Sequence, residues 1–303
     1  MRNFLSLLVL ALLWGPSFFF IKIAVSEIPP FTLVLGRVGI AAGLLYLLLR
    51  WQGQRFPKFG PFWGHFAVIG FFSNALPFTL FNWSELHISS ALASILNGTT
   101  PLFTLVLAHF FVADDRMTPL KSVGALVGFG GLILLIGPAL LAGVHATTLG
   151  LLAATAAAFS YGVALVYVRK NLRGLPPLVG PTAQLLAATI YVAPLALIVD
   201  RPFSRALPSW EAIGAVLFLA VLGTGLAFVL YYRLIEHTSA TFVSMVTYLV
   251  PVVGLALGVF ILHERPGWNA YAGCALILLG VMIVNGVFGL ARRRITAGLG
   301  VKP

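Results

Sequence analysis

Apolar residues run along this chain in ten long blocks, divided by short breaks of proline, glycine and charge. The blocks cover residues 4–25, 30–50, 61–84, 88–112, 117–137, 148–170, 178–199, 208–232, 238–262 and 267–290. The breaks hold Pro29-Pro30, Gln52 to Pro57, Asp114-Asp115, Pro176-Pro177, Asp200 to Pro208 and Glu264 to Gly267. A helix needs about 20 apolar residues to cross the hydrocarbon core. A membrane barrel would instead show alternating segments of about ten residues. Helices also satisfy their own backbone groups, which lipid demands. The pattern predicts an all-α membrane protein of ten transmembrane helices.

Composition agrees. Of 303 residues, 60% are hydrophobic and 9% charged, against roughly 25% charged in soluble domains. The bilayer is the expected solvent. The net charge of +11 would suggest nucleic acid in a soluble chain. Here the basic residues sit between apolar blocks, so they read as topology signals and no nucleic-acid partner is expected. The N-terminal apolar run reaches Val25. It exceeds a signal-peptide core of about 7–15 residues and reads as a retained first span. Cys274 stands alone, which rules out an internal disulfide and a cysteine metal cluster.

Orientation follows from the basic residues. With the N-terminus inside, the inner segments hold Arg2, Arg50, Arg55, Lys58, Arg116, Lys121, Arg169, Lys170, Arg173, Arg233, Arg292, Arg293, Arg294 and Lys302. The outer loops hold only Arg201, Arg205 and Arg265, while Lys22 and Arg37 fall within spans. Both termini are expected in the cytoplasm, in a multi-pass protein of the bacterial inner membrane.

The second half repeats the first. An offset of 150 carries Phe78 to Phe228, His87 to His237, Ser89 to Ser239, Pro101 to Pro251, Asp114 to Glu264 and Gly130 to Gly280. Nearer the start, an offset of 147 carries Trp14 to Tyr161, Gly15 to Gly162, Lys22 to Arg169 and Pro29-Pro30 to Pro176-Pro177. Residues 1–143 and 144–291 are the expected units, with a basic tail at 292–303. Five helices per unit is an odd number, so the second copy enters from the opposite side. Such a 5+5 inverted repeat is an architecture used by secondary transporters.

Several stretches resemble the EamA family of the drug/metabolite transporter superfamily. They are Trp14-Gly15, Pro29-Pro30, Arg37, the run from Ser89 through Pro101 to Asp114, and its repeat from Ser239 through Pro251 to Glu264. The glycine-rich helices Gly124 to Gly137 and Gly273 to Gly286 also fit, and the resemblance covers nearly the whole chain. It implies a carrier of small metabolites, foremost amino acids, aromatic or otherwise neutral, and after them organic cations. No cofactor is implied.

Polar groups at membrane depth usually face a cavity or another helix. At 1.5 Å per residue, Trp14, Asn74, Asn97, Tyr161 and Tyr248 fall in the central part of their spans. Asn74 shares a helix face with Phe78, Asn97 with Thr100, and Ser244 with Tyr248. Arg37, always charged, could hold a substrate carboxylate or snorkel to the interface. Gln184 is its counterpart in the second half. These ten residues form the expected substrate site, although packing between helices is the competing reading for each. Gly39-to-Gly43, Gly124-to-Gly128 and Gly254-to-Gly258 have the small-xxx-small spacing of close helix contacts.

The eight acidic residues all fall at block ends or in loops, so no buried carboxylate relay is expected. A facilitative carrier or exchanger follows. The sequence has no G-x-x-x-x-G-K-[ST] run, no zincin histidine pair and no G-x-S-x-G elbow, so no enzyme is expected. A sugar or nucleotide-sugar carrier is the alternative, although phosphorylated ligands would call for more basic groups than Arg37 and nearby Lys22. A membrane-embedded enzyme, a channel and a receptor are weaker readings. The oligomeric state stays open between monomer and homodimer.

Overall fold

The structure is a computed structural model that describes residues 2–88, 90–141, 147–260 and 267–284. Ser89, His263, Glu264, Arg265 and the basic tail lie outside these residues. Among the described residues the chain is helical, with no strand.

Ten helical segments follow in order. α1 has two pieces, Arg2–Trp14 and Ser17–Val25. α2 is Pro30–Trp51. α3 spans Trp63–Ser84 with a π turn at Phe71–Ala75. α4 has two pieces, Ser90–Asn97 and Thr100–Phe111. α5 is Pro119–Leu141 and α6 is Thr148–Asn171. α7 is Val179–Leu195, continued by a π turn at Ala196–Asp200. α8 spans Trp210–His237 with a π turn at Val221–Leu226. α9 comprises Ala240–Ser244 and Val246–Phe260, and α10 is Trp268–Val284. Seven stretches are long and apolar enough to cross a membrane, while Pro119–Leu135, Ala240–Val253 and Trp268–Val284 are apolar but shorter. Phe110, Leu126, Ile190 and Ile198 are each more than 60% exposed. So much apolar surface suits lipid and not water.

The sequence pattern predicts unbroken spans, and the structure differs. α1 breaks at Gly15-Pro16, where proline supplies no backbone donor. α4 breaks at Gly98-Thr99, just before Pro101, and α9 breaks at Met245. Pro77 follows the first π turn and Pro194 precedes the second. The π turns in α3 and α8 begin 150 residues apart, the same offset at which the sequence repeats.

Glycines set one helix contact. A Cβ on Gly280 would lie 2.5 Å from the Gly124 carbonyl oxygen, and one on Gly131 would lie 2.7 Å from the Gly273 carbonyl oxygen. α5 and α10 therefore touch backbone to backbone, as the Gly124-to-Gly128 spacing predicts. Gly39-to-Gly43 makes no such contact: Gly43 has open space beside it and Gly39 meets only Thr189, at 3.8 Å. The side-chain surroundings of Gly254 and Gly258 lie outside the described residues.

Tyr248 fills the gap beside Gly128 and donates from Oη to the Ala125 carbonyl, 2.9 Å away. Tyr248→Phe should lower stability by about 1 kcal/mol, the net worth of one hydrogen bond, and leave transport unchanged. Thermal unfolding in detergent and a transport assay check the two halves of that statement.

Two basic residues make matching contacts. Lys22 Nζ donates to the Glu85 carbonyl at 2.6 Å, and Arg169 Nη1 donates to the Ile235 carbonyl at 2.7 Å. Donor and acceptor are related by the offsets of 147 and 150. Arg169 also pairs with Asp114 at 2.9 Å. Burial raises the Asp114 carboxyl, but Arg169 and Arg173 outweigh it and hold the group below its ordinary range. Among the loops, Glu27 accepts from Ser209 Oγ and N at 2.6 and 2.7 Å. The Ser209 hydroxyl, then its backbone N–H, lower the Glu27 carboxyl.

Candidate functional site

The breaks in α1, α4 and α9 and the π turn of α3 meet around one central cavity, with about 800 Å³ of space not filled by atoms, its mouth included. Trp14 and Ser17 flank the break in α1, Asn97 and Thr100 flank the break in α4, and Ser244 and Val246 flank the break in α9. Ser73 comes from the first π turn. Irregular backbone at membrane depth is tolerated where it lines a cavity. π turns, too, are frequent at functional sites.

Arg37 is the one charged residue among the described residues that line the cavity. It is only 5% exposed. Its Nε donates to Thr224 Oγ1 at 2.7 Å and its Nη2 reaches the Gly223 carbonyl at 3.4 Å. Both acceptors belong to the π turn of α8. The guanidinium carbon sits 3.9 Å from the centroid of the Phe78 ring, a favourable cation–π placement. None of the three ion pairs among the described residues includes Arg37. A buried cation normally has a counter-ion; here neutral dipoles and a ring face hold it.

Aromatic rings line the remaining walls. Trp14 packs on Phe228 and Tyr231 at centroid distances of 6.2 and 6.0 Å. Its indole N–H donates to the Gly223 carbonyl at 2.9 Å. Opposite, Phe81 stacks on Tyr161 at 5.9 Å and meets Phe18 edge-on at 5.6 Å. Among the described residues that line the cavity, two polar atoms are buried and unpartnered: Ser17 Oγ and Asn97 Oδ1. Other hydroxyls are occupied, since Ser244 Oγ donates to the Thr241 carbonyl and Thr100 Oγ1 to the Ala158 carbonyl.

Seven of the ten residues expected from the sequence therefore come together: Trp14, Arg37, Phe78, Asn97, Thr100, Tyr161 and Ser244. Asn74, Gln184 and Tyr248 do not line the cavity. The π turn adds a residue to α3, and the neighbouring Ser73 faces the cavity in place of Asn74. Asn74 is fully buried with neither end of its amide partnered. Gln184 accepts from Tyr232 Oη at 2.9 Å, and Tyr248 is the α5 anchor described above. Sequence reasoning missed Ser17, Ser73, Phe81, Phe228 and Tyr231 on the cavity wall, and Thr224 behind Arg37. The signal for two of these was present: an offset of 150 maps Asn74 and Phe78 onto Thr224 and Phe228.

A family model described as the EamA-like transporter family matches the chain twice, over residues 1–137 and 148–286. The chain belongs to the EamA-like transporter family. Its relatives include the uncharacterized transporter YoaV of Bacillus subtilis (strain 168), 25% identical over 295 residues and covering 96% of this chain and 98% of that protein. They also include a protein of Escherichia coli (strain K12) described as a "Probable amino-acid metabolite efflux pump". It is 28% identical over 299 residues and covers 95% of both chains. A solved crystal structure with 23% identity covers 94% of this chain and 98% of its own, with a TM-score of 0.77; it shows the shared fold. An EamA-like transporter is a membrane carrier. The cavity described above is thus the place in this family member to look for a substrate.

Proposed function

We propose that this EamA-like transporter moves small carboxylate-bearing metabolites, foremost neutral and aromatic amino acids, by alternating access around the central cavity. The observation that carries the reading is Arg37. It is a buried cation with no carboxylate partner among the described residues, set in a cavity walled by aromatic rings. A substrate carboxylate supplies the missing counter-charge, and the rings of Trp14, Phe228, Tyr231 and Phe81 accommodate an apolar side chain. The Escherichia coli relative's description as an amino-acid metabolite efflux pump supports the same substrate class.

The protein is a multi-pass protein of the inner membrane. Ten spans in two inverted halves, with both termini cytoplasmic, suit this mechanism. Support comes from the doubled family match, the π turns 150 residues apart, and the Lys22–Glu85 and Arg169–Ile235 contacts. With five spans per half, those two contacts fall at opposite membrane faces. Opening one and closing the other would expose the cavity to each side in turn.

Glu85, Asp115 and Asp200 are buried, at helix ends and in a loop, but no acidic residue lines the cavity among the described residues, so the carrier works as a facilitator or exchanger without a carboxylate proton relay at the site. Counterflow of labelled L-phenylalanine into proteoliposomes tests both statements. Uptake should appear with purified protein and persist when the proton gradient is collapsed. Absence of counterflow across a panel of amino acids overturns the substrate reading. Dependence on the proton gradient overturns the coupling.

A further inference from the structure

The cavity is electrically one-sided, and this has a consequence for the form of substrate it prefers. Its only charge among the described lining residues is the Arg37 guanidinium. Among the described lining residues, no carboxylate stands ready for an ammonium group. What an ammonium would find is the unpartnered Asn97 Oδ1 and the ring faces of the walls. The anion side, by contrast, is built. Gly223 has no side chain, and a Cβ placed there would lie 3.4 Å from Ser17 Oγ and 3.9 Å from Arg37 Nη2. The space left by that missing methyl group lies beside two donors, one a guanidinium and the other a hydroxyl that is buried and unpartnered. A carboxylate is the ligand chemistry that such a pair of donors recognises, and the charge-assisted bond to the guanidinium is the stronger of the two.

We propose that the Ser17–Gly223–Arg37 niche is a carboxylate subsite that makes the transporter select aromatic substrates of net charge −1, such as aryl 2-hydroxy acids, over zwitterionic amino acids, and reject the corresponding amines. The inference rests on the amino-acid reading above and sharpens it. A zwitterion gains the Arg37 contact but brings a second positive charge into a poorly solvated space that already holds one. A net anion gains the contact alone. An amine meets only the repulsion, so organic cations, admitted by the sequence, are expected to be excluded.

Three probes share one ring and differ only in charge: 3-phenyllactate, L-phenylalanine and 2-phenylethylamine. Calorimetric titration of the purified full-length protein should give 3-phenyllactate at least tenfold tighter binding than L-phenylalanine, with 2-phenylethylamine weakest. Arg37→Lys should keep this order, because the charge remains. Arg37→Gln should abolish it. Gly223→Ala should weaken 3-phenyllactate at least tenfold and leave 2-phenylethylamine unchanged. The nearest atom to the new methyl is at ordinary contact distance, so this variant folds. Binding of the amine as tightly as the acid, or an unchanged acid preference in Arg37→Gln or Gly223→Ala, overturns the proposal. If the acid preference is found but L-phenylalanine shows no counterflow, the amino-acid reading falls and the carboxylate subsite stands. If L-phenylalanine is transported but the amine binds equally well, the reverse holds.

Discussion

Gly280→Ala destabilises the protein by about 3 kcal/mol, the upper end of what overpacking usually costs. The new methyl would lie 2.5 Å from the Gly124 carbonyl oxygen, 2.6 Å from the Gly128 nitrogen and 2.8 Å from the Gly128 Cα. All three are backbone atoms, so no side-chain rotation relieves the clash, and α5 and α10 must move apart. The strain spreads along the contact, because Gly131 and Gly273 are equally close further along. The control is Gly130→Ala. Gly130 sits on α5 too, but is exposed and has nothing within 4 Å of its would-be Cβ. There alanine should be neutral or add up to about 1 kcal/mol, since glycine is the poorer helix former. Thermal unfolding in detergent, with both variants measured beside the parent, reads the difference. Equal midpoints for the two variants would show that α5 and α10 are not in backbone contact.

Arg37→Ala lowers the transport efficiency for L-phenylalanine by about 10- to 150-fold, the equivalent of the 1.5–3 kcal/mol carried by a charged hydrogen bond. The protein should still fold, because the guanidinium is held by neutral acceptors and a ring and its removal leaves no carboxylate stranded. Thr224→Val acts one step removed. It takes away the Nε anchor and lets the guanidinium swing off the Phe78 face, with an expected loss of about tenfold. Initial counterflow rates over a range of substrate concentrations check both, with size-exclusion profiles as the measure of folding. Wild-type efficiency in folded Arg37→Ala would remove Arg37 from the site.

Membrane class and element positions were legible because lipid leaves little freedom: long apolar blocks with basic flanks have few other solutions. The centre was legible where a residue's own chemistry is out of place in lipid, as with Arg37 and Asn97. It failed where the backbone departs from the α register. Nothing in the sequence around Asn74 signals the extra residue of the π turn, so the amide was placed at the wall where Ser73 stands. Tyr248 and Gln184 illustrate a different limit. Their depth was readable, but whether a polar side chain turns to a cavity or to a neighbouring helix depends on partners far away, Ala125 and Tyr232. The repeat offset carries further information, since applying it to the expected Phe78 gives Phe228 directly.

A π turn contains one residue more than the α turn it replaces. If the same residues were wound as plain α-helix through Val221–Leu226, everything beyond them would be rotated by about 100°. Phe228 and Tyr231 would then swing away from Trp14, emptying one aromatic wall without any of those rings being altered. The shape of the binding chamber is thus stored in the winding of the backbone as much as in its side chains, and a change in this one turn would rewrite it.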